Sequence, residues 1–345
     1  MTLEERILAL SALPGPAGFE EGAAKCISEM LAEAADEVRT DVMGNVIAVR
    51  RCGKENARRL LLDAHYDEIG FVVTGHEEGF LRFAAIGGVD ARMLPAAEIR
   101  ILTEPSRVGV VAAAPPHVLE KGESDKAVKM EDLFIDVGLT QEEAEKAVPV
   151  GTPAVFNAPA RAFGDGYICG KALDNRASLA VIIEVLRRLK DRPLDVDLFV
   201  LASAQEELGR RGAKTAAFEI APDWCVVLDA DHAKTPDNKR HDMKKPGGGV
   251  VVSIGPNMNR KLTDKAIRLA REKGIPHQIG VEAGDSGTNA AAVQIAREGV
   301  ATALLGIPVK YMHSPVETLA FSDALAAADL LEALVISITE GYADA

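Results

Sequence analysis

Positive charge is what this chain lacks most. It has 39 lysines and arginines against 52 aspartates and glutamates, a net charge of −13 over 345 residues. No basic patch easily dominates such a surface, which argues against nucleic acid as a partner. Cysteine is scarce too: Cys26, Cys52, Cys169 and Cys225 lie far apart, with no Cys-x-x-Cys spacing. Four scattered thiols suit a reduced cytoplasmic protein, each acting as a small buried apolar group. No apolar run approaches membrane-spanning length, and Met1-Thr2-Leu3-Glu4-Glu5-Arg6 is acidic where a signal peptide is basic. The expectation is a cytoplasmic protein with no membrane partner. What is present is ordinary for a globular chain, 48% hydrophobic and 26% charged. It is long enough for two domains, or for one large domain carrying an insertion.

The pattern along the chain favours the insertion. Helices are expected over Leu3–Leu13 and Glu20–Ala35, then strands at Val46–Arg50 and Leu60–Ala64. From about Gly70 to Pro159 short β-type segments recur: Gly70–Thr74, Phe80–Ala85, Ala97–Leu102, Val108–Ala113, Leu133–Asp136 and Pro153–Phe156. One helix interrupts them, at Thr140–Ala147, where Thr140 and Glu143 form a capping box. The charged stretch Glu120–Asp132 reads as a mobile loop. Beyond about Arg161 helices and strands alternate to the C-terminus, the mark of an open α/β sheet layered with helices. The expected units are therefore 1–69 and 161–345, which together form the α/β part, with a β-rich insertion at 70–160.

In an open α/β sheet, functional groups gather outside the carboxyl ends of strands. Strand Leu60–Ala64 ends in His65-Tyr66-Asp67-Glu68, where His65 can ligate a metal and Asp67 can hydrogen-bond its other ring nitrogen. A surface turn with an N-cap Asp is the plainer alternative. Asp174, entering a helix after Gly170-Lys171-Ala172-Leu173, is either an N-cap or a carboxylate with one oxygen for each of two cations. The apolar run from Asp197 to Ala204 delivers Glu206 and Glu207 at its end, Trp224–Leu228 delivers Asp229, and His313 follows the last strand. Each is ambiguous alone. Chance would scatter them over both ends of the strands, and all fall at one.

Co-location favours a dinuclear site. Two divalent ions held by His65, Asp174, Glu207, Asp229 and His313 would lower the pKa of a shared water. Glu206, left off the metals, would take the proton as general base and return it to the leaving amine. Mixed imidazole and carboxylate ligands suit Zn²⁺ or Co²⁺ better than Mg²⁺.

The ordered landmarks resemble the tetrahedral-particle (TET) and glutamyl aminopeptidases, a family of dinuclear metallopeptidases. They are Ala64-His65-Tyr66-Asp67-Glu68-Ile69-Gly70, Lys171–Arg176, Gln205–Gly209, Asp229 and Tyr311–Glu317, with Ile86-Gly87-Gly88 and Pro115-Pro116-His117 in the insertion. The resemblance implies a zinc-peptidase-like domain with a mixed open sheet flanked by helices, and a PDZ-like inserted domain. It implies two bound metals, action on peptides with a free N-terminus, and homo-oligomers from dimer to dodecamer. By motif, Asp174 bridges the metals, His65 and Asp229 fall into different metal shells, and so do Glu207 and His313. Glu206 is then the base and Asp67 the orienter of His65. Tyr66 replaces a commoner Met, and Asn289 stands where the family usually has Asp. The loops Gly255–Arg260 and Gly284–Asn289 are expected to line the pocket, and His232 is either a further site residue or a surface His.

Competing readings are a dinuclear amidase or carboxypeptidase on other amides, and a non-catalytic assembly scaffold with a vestigial metal site. An endoglucanase would use paired carboxylates but has no need of His65, Asp174 and His313.

Overall fold

The structure is a computed structural model that describes residues 1–113, 116–118, 128–237 and 243–341. Its largest element is an 11-stranded mixed sheet. The four central strands, in the order Asp197–Ser203, Arg59–His65, Trp224–His232 and Ala301–Lys310, run parallel. Their carboxyl ends therefore lie along one edge. Val46–Arg50 flanks them antiparallel on one side, and Glu317–Ala320 on the other is followed by Tyr167–Gly170.

The central strands are buried on both faces, which explains their unbroken apolar runs. On one face Leu60, Leu62 and Ala64 pack with the helices Leu3–Ala12, Glu21–Ala32, Leu173–Arg188, Arg260–Glu272 and Phe321–Glu340. On the other, Leu61, Leu201 and Val227 pack with Arg211–Ile220 and Asn289–Val293. This is the expected α/β layering. The first helix is fastened by a Thr2–Glu5 capping box.

Between the strands Arg59–His65 and Tyr167–Gly170, the chain leaves the sheet and closes a six-stranded barrel. Its strands are Gly70–Glu77, Phe80–Ile86, Glu98–Ile101, Arg107–Ala112, Phe134–Asp136 and Pro153–Phe156. The barrel has its own core, in which Phe71 meets Phe83 and Phe156 edge-on with ring centroids 5.5 and 5.2 Å apart. The Thr140–Glu143 capping box forms as expected, ahead of the helix Gln141–Ala147. The β-rich insertion is thus present, and its form is a closed barrel. Pro115 and positions 120–127 of the Glu120–Asp132 stretch lie outside the described residues.

Candidate active site

Parallel register brings the site together. Ser203 pairs with His65, so Glu206 and Glu207 leave their strand beside the His65 turn. Val227 pairs with Asp63, and two residues further along each strand Asp229 comes level with His65. Around these ends the backbone bends sharply. Of ten non-glycine residues with positive φ among those described, five flank the site: Ala172, Gln205, Arg210, Tyr311 and His313. Left-handed backbone costs L-residues about 1–3 kcal/mol each and persists only where surrounding contacts impose it.

Asp174 stands at the centre. Its backbone is non-helical (φ −78°, ψ 103°) at the start of Leu173–Arg188, and its carboxylate faces two histidines rather than capping the helix. Asp174 Oδ1 lies 3.2 Å from His65 Nε2, which is also 3.6 Å from Asp229 Oδ1. Asp174 Oδ2 lies 3.3 Å from His313 Nε2, which is 3.2 Å from Glu207 Oε1. The sets His65–Asp174–Asp229 and Asp174–Glu207–His313 are each compact enough to hold one ion. This pairing corrects one expectation. His65 and Asp229 belong to the same set, and so do Glu207 and His313, because strand register places Asp229 on the His65 side. A third compact set, His65–Glu206–Glu207, shows Glu206 close to the ligand candidates too.

Three features fit a cation. Tetrahedral ligands about 2.0–2.2 Å from Zn²⁺ stand roughly 3.4 Å apart, close to the separations here. Charge-assisted hydrogen bonds would be shorter, at about 2.7–2.9 Å. Both imidazoles also turn Nε2 toward the cluster while Nδ1 meets a backbone carbonyl, Asp67 O at 3.2 Å for His65 and Gly88 O at 3.1 Å for His313. That contact leaves Nε2 bare to coordinate. Finally, four carboxylates crowd a largely buried space, which is costly without positive charge. Burial pushes Glu206 up to about 9, against His65 and with help from Asp229 and Glu207. Burial likewise raises Asp229 to about 6. His313 is held up at about 11, because Asp174 and Glu207 outweigh a burial effect that lowers it.

Asp67 does more than meet His65. Its carboxylate is 3.5 Å from His65 Nδ1, and its two oxygens accept the backbone N–H groups of Glu206 at 3.0 Å and Glu207 at 3.1 Å. Sequence reasoning missed a parallel arrangement: buried Glu317 accepts the N–H of His313 and of Asp174, both at 2.9 Å. The only signal was its place four residues after His313 in the Tyr311–Glu317 motif. Ile86-Gly87-Gly88 also gains a reason. A Cβ on Gly88 would sit 2.9 Å from His313 Nδ1, and one on Gly87 3.3 Å from Glu207 Oε2.

A cavity of about 610 Å³ opens over the cluster. Ser286, Gly287 and Thr288 line it, as do Asp231, His232 and Glu282, while no residue of Gly255–Arg260 does. Those residues sit away from the wall, and Ser253 and Glu282 take their place. Exposed His232 is thus a pocket residue. Asn289 is fully buried instead, with Nδ2 donating to Ser203 Oγ at 2.8 Å.

Parallel central strands with a buried imidazole–carboxylate cluster under an open cavity at their ends mark an α/β enzyme. Residues 44–330 match the M42 glutamyl aminopeptidase family, and the chain belongs to that family of peptidases. Over 311 residues, 88% of either chain, it is 38% identical to the lysyl aminopeptidase of Pyrococcus furiosus. The solved TET aminopeptidase of a marine-sediment thaumarchaeon superposes with a TM-score of 0.91 at 33% identity, over 99% of this chain and 98% of that one. The TET1 peptidase of Pyrococcus horikoshii, which can assemble into a tetrahedron or a large octahedral shell, gives 0.85 at 32% identity, over 97% and 99%. No helix among the described residues is long and apolar enough to cross a membrane.

Proposed function

We propose that this peptidase is a metal-dependent aminopeptidase acting on peptides with a free N-terminus. It would use two divalent ions, Zn²⁺ or Co²⁺, held by His65, Asp174, Glu207, Asp229 and His313. The observation that carries this reading is Asp174, whose two oxygens face different histidines at 3.2 and 3.3 Å. A carboxylate shared in that way is what a bridging ligand requires.

When bound, two such ions would acidify a water and polarise the scissile carbonyl. The residues of the chain divide the remaining work. Glu206 accepts the proton of the attacking water on a carboxylate oxygen and delivers it to the leaving amine. Asp67 holds the backbone of Glu206 and Glu207 so that the two side chains diverge from a fixed turn. A cavity of about 610 Å³ admits a chain end rather than a folded substrate. The units 1–69 and 161–345 form the catalytic domain on this reading, and 70–160 is a PDZ-like dimerisation domain built on the barrel. Homo-oligomers from dimer to dodecamer follow from likeness to the Pyrococcus horikoshii peptidase, whose assemblies have been solved.

The test is to digest one peptide with a free and with an acetylated N-terminus, before and after chelation and return of Zn²⁺ or Co²⁺. Stepwise loss from the free end, abolished by chelator and restored by metal, is expected. Cleavage of the acetylated peptide would favour the amidase or carboxypeptidase instead. An assembled protein that takes up no metal would favour the scaffold.

A further inference from the structure

We propose that Glu317 is a positioning residue that sets the His313 metal position independently of the His65 position. The proposal rests on the dinuclear reading above. Glu317 is only 2% exposed and opens the strand Glu317–Ala320, where it pairs with Gly170. From there its side chain links two segments far apart in sequence. Oε2 takes the N–H of Asp174, just beyond the strand Tyr167–Gly170, and Oε1 takes the N–H of His313 in the Tyr311–Val316 connection. The bridging carboxylate and the terminal imidazole of one ion set are thereby spaced by one carboxylate that lies in neither set.

The two partners do not depend on Glu317 equally. Asp174 begins a long buried helix, and the neighbouring Asn175 Nδ2 donates to Leu228 O at 2.9 Å. His313 sits in a tight left-handed turn (φ 62°) between two strands. Its imidazole meets Gly88 O at Nδ1, and Ser314 closes the turn on itself through Tyr311 O and Val316 N–H, whereas the Glu317 bond to the His313 N–H is the one that ties this turn to Asp174. Loss of that bond releases His313 and, with it, the ion position that His313 shares with Glu207. His65 and Asp229 are fixed by the central strands and keep theirs.

Glu317→Gln makes this testable, because the amide retains one acceptor oxygen and turns an NH₂ group toward the second N–H donor. The wild-type protein, stripped and titrated with Co²⁺ in a calorimeter with parallel absorption spectra, should show two binding events. Glu317→Gln should leave one event unchanged and weaken the other about 10–100-fold, the range for residues that support a metal ligand. His313→Ala should remove the same event, and the double variant should bind no more weakly than His313→Ala alone. Should Glu317→Gln not fold, Glu317→Asp carries the test, since it keeps the charge but shortens the reach. Two unchanged events, equal weakening of both, or full additivity with His313→Ala would overturn the proposal. A wild-type protein that binds no Co²⁺ or Zn²⁺ would overturn the dinuclear reading instead.

Discussion

Asp67 Oδ1 accepts the backbone N–H of Glu206 at 3.0 Å. A residue at the end of one parallel strand thus fixes the peptide that carries the proposed base at the end of the next. The second oxygen serves Glu207 in the same way. Asp67→Asn keeps one acceptor and loses the other. Its kcat should fall about 10–100-fold, with weaker metal retention on dialysis. Wild-type kcat in that variant would show that the Glu206–Glu207 turn holds its shape unaided.

Glu206 and Glu207 should separate cleanly under substitution. Glu206→Gln is expected to retain both metals and lose about 100- to 10,000-fold in kcat, as for removal of a general base. Glu207→Gln should lose metal together with activity. Elemental analysis alongside kinetics decides the matter. Metal loss in Glu206→Gln would make Glu206 a ligand, as its place in the His65–Glu206–Glu207 set permits.

Gly88 should tolerate no side chain. A Cβ there would stand 2.9 Å from His313 Nδ1, so Gly88→Ala must displace the imidazole or the turn. Activity should drop at least tenfold (about 1.4 kcal/mol), with metal lost from the His313 position. Gly22→Ala is the control: nothing lies within 4 Å of its Cβ in the helix Glu21–Ala32, so folding should be unchanged or improved by up to about 1 kcal/mol. Matching kinetics for the two variants would dismiss the steric argument.

Glu184 gives the fold an acid limit. Burial tends to raise its carboxyl pKa, but Arg187, Arg188 and Arg6 outweigh this and hold it down to about 2. A depressed folded-state value means stability that is present above the ordinary value of 4.5 and lost as pH falls through about 2. Urea midpoints should therefore decline from pH 5 to pH 3 more steeply in the wild type than in Glu184→Gln. Parallel declines would show that the three arginines stabilise the fold by other means.

The strand-end cluster was legible because long apolar runs announce buried parallel strands and so locate their ends. Val46–Arg50 falls where its residue pattern puts it. Glu37–Thr40 and Arg161–Phe163 were missed because they are edge strands with mostly exposed side chains and no alternation. Glu317–Ala320 was hidden differently: it is fully buried, yet opens with an acid whose partners are backbone groups. Contacts from a carboxylate to a distant N–H leave no periodic trace. The pairing of His65 with Asp229 was likewise a matter of register, which needs the assembled sheet.

The contact between Gly88 O and His313 Nδ1 bears on how such a chain can be re-engineered. The barrel follows one sheet strand and precedes another, the topology of a cassette open to exchange for a different β-module. Yet a carbonyl in the turn after its second strand meets the ring of a histidine in the candidate site. A transplanted barrel would have to bring its own glycine turn to the same place, or the recipient enzyme would lose the orientation of one imidazole. The sheet and the barrel therefore share a boundary that does not coincide with any cut in the chain.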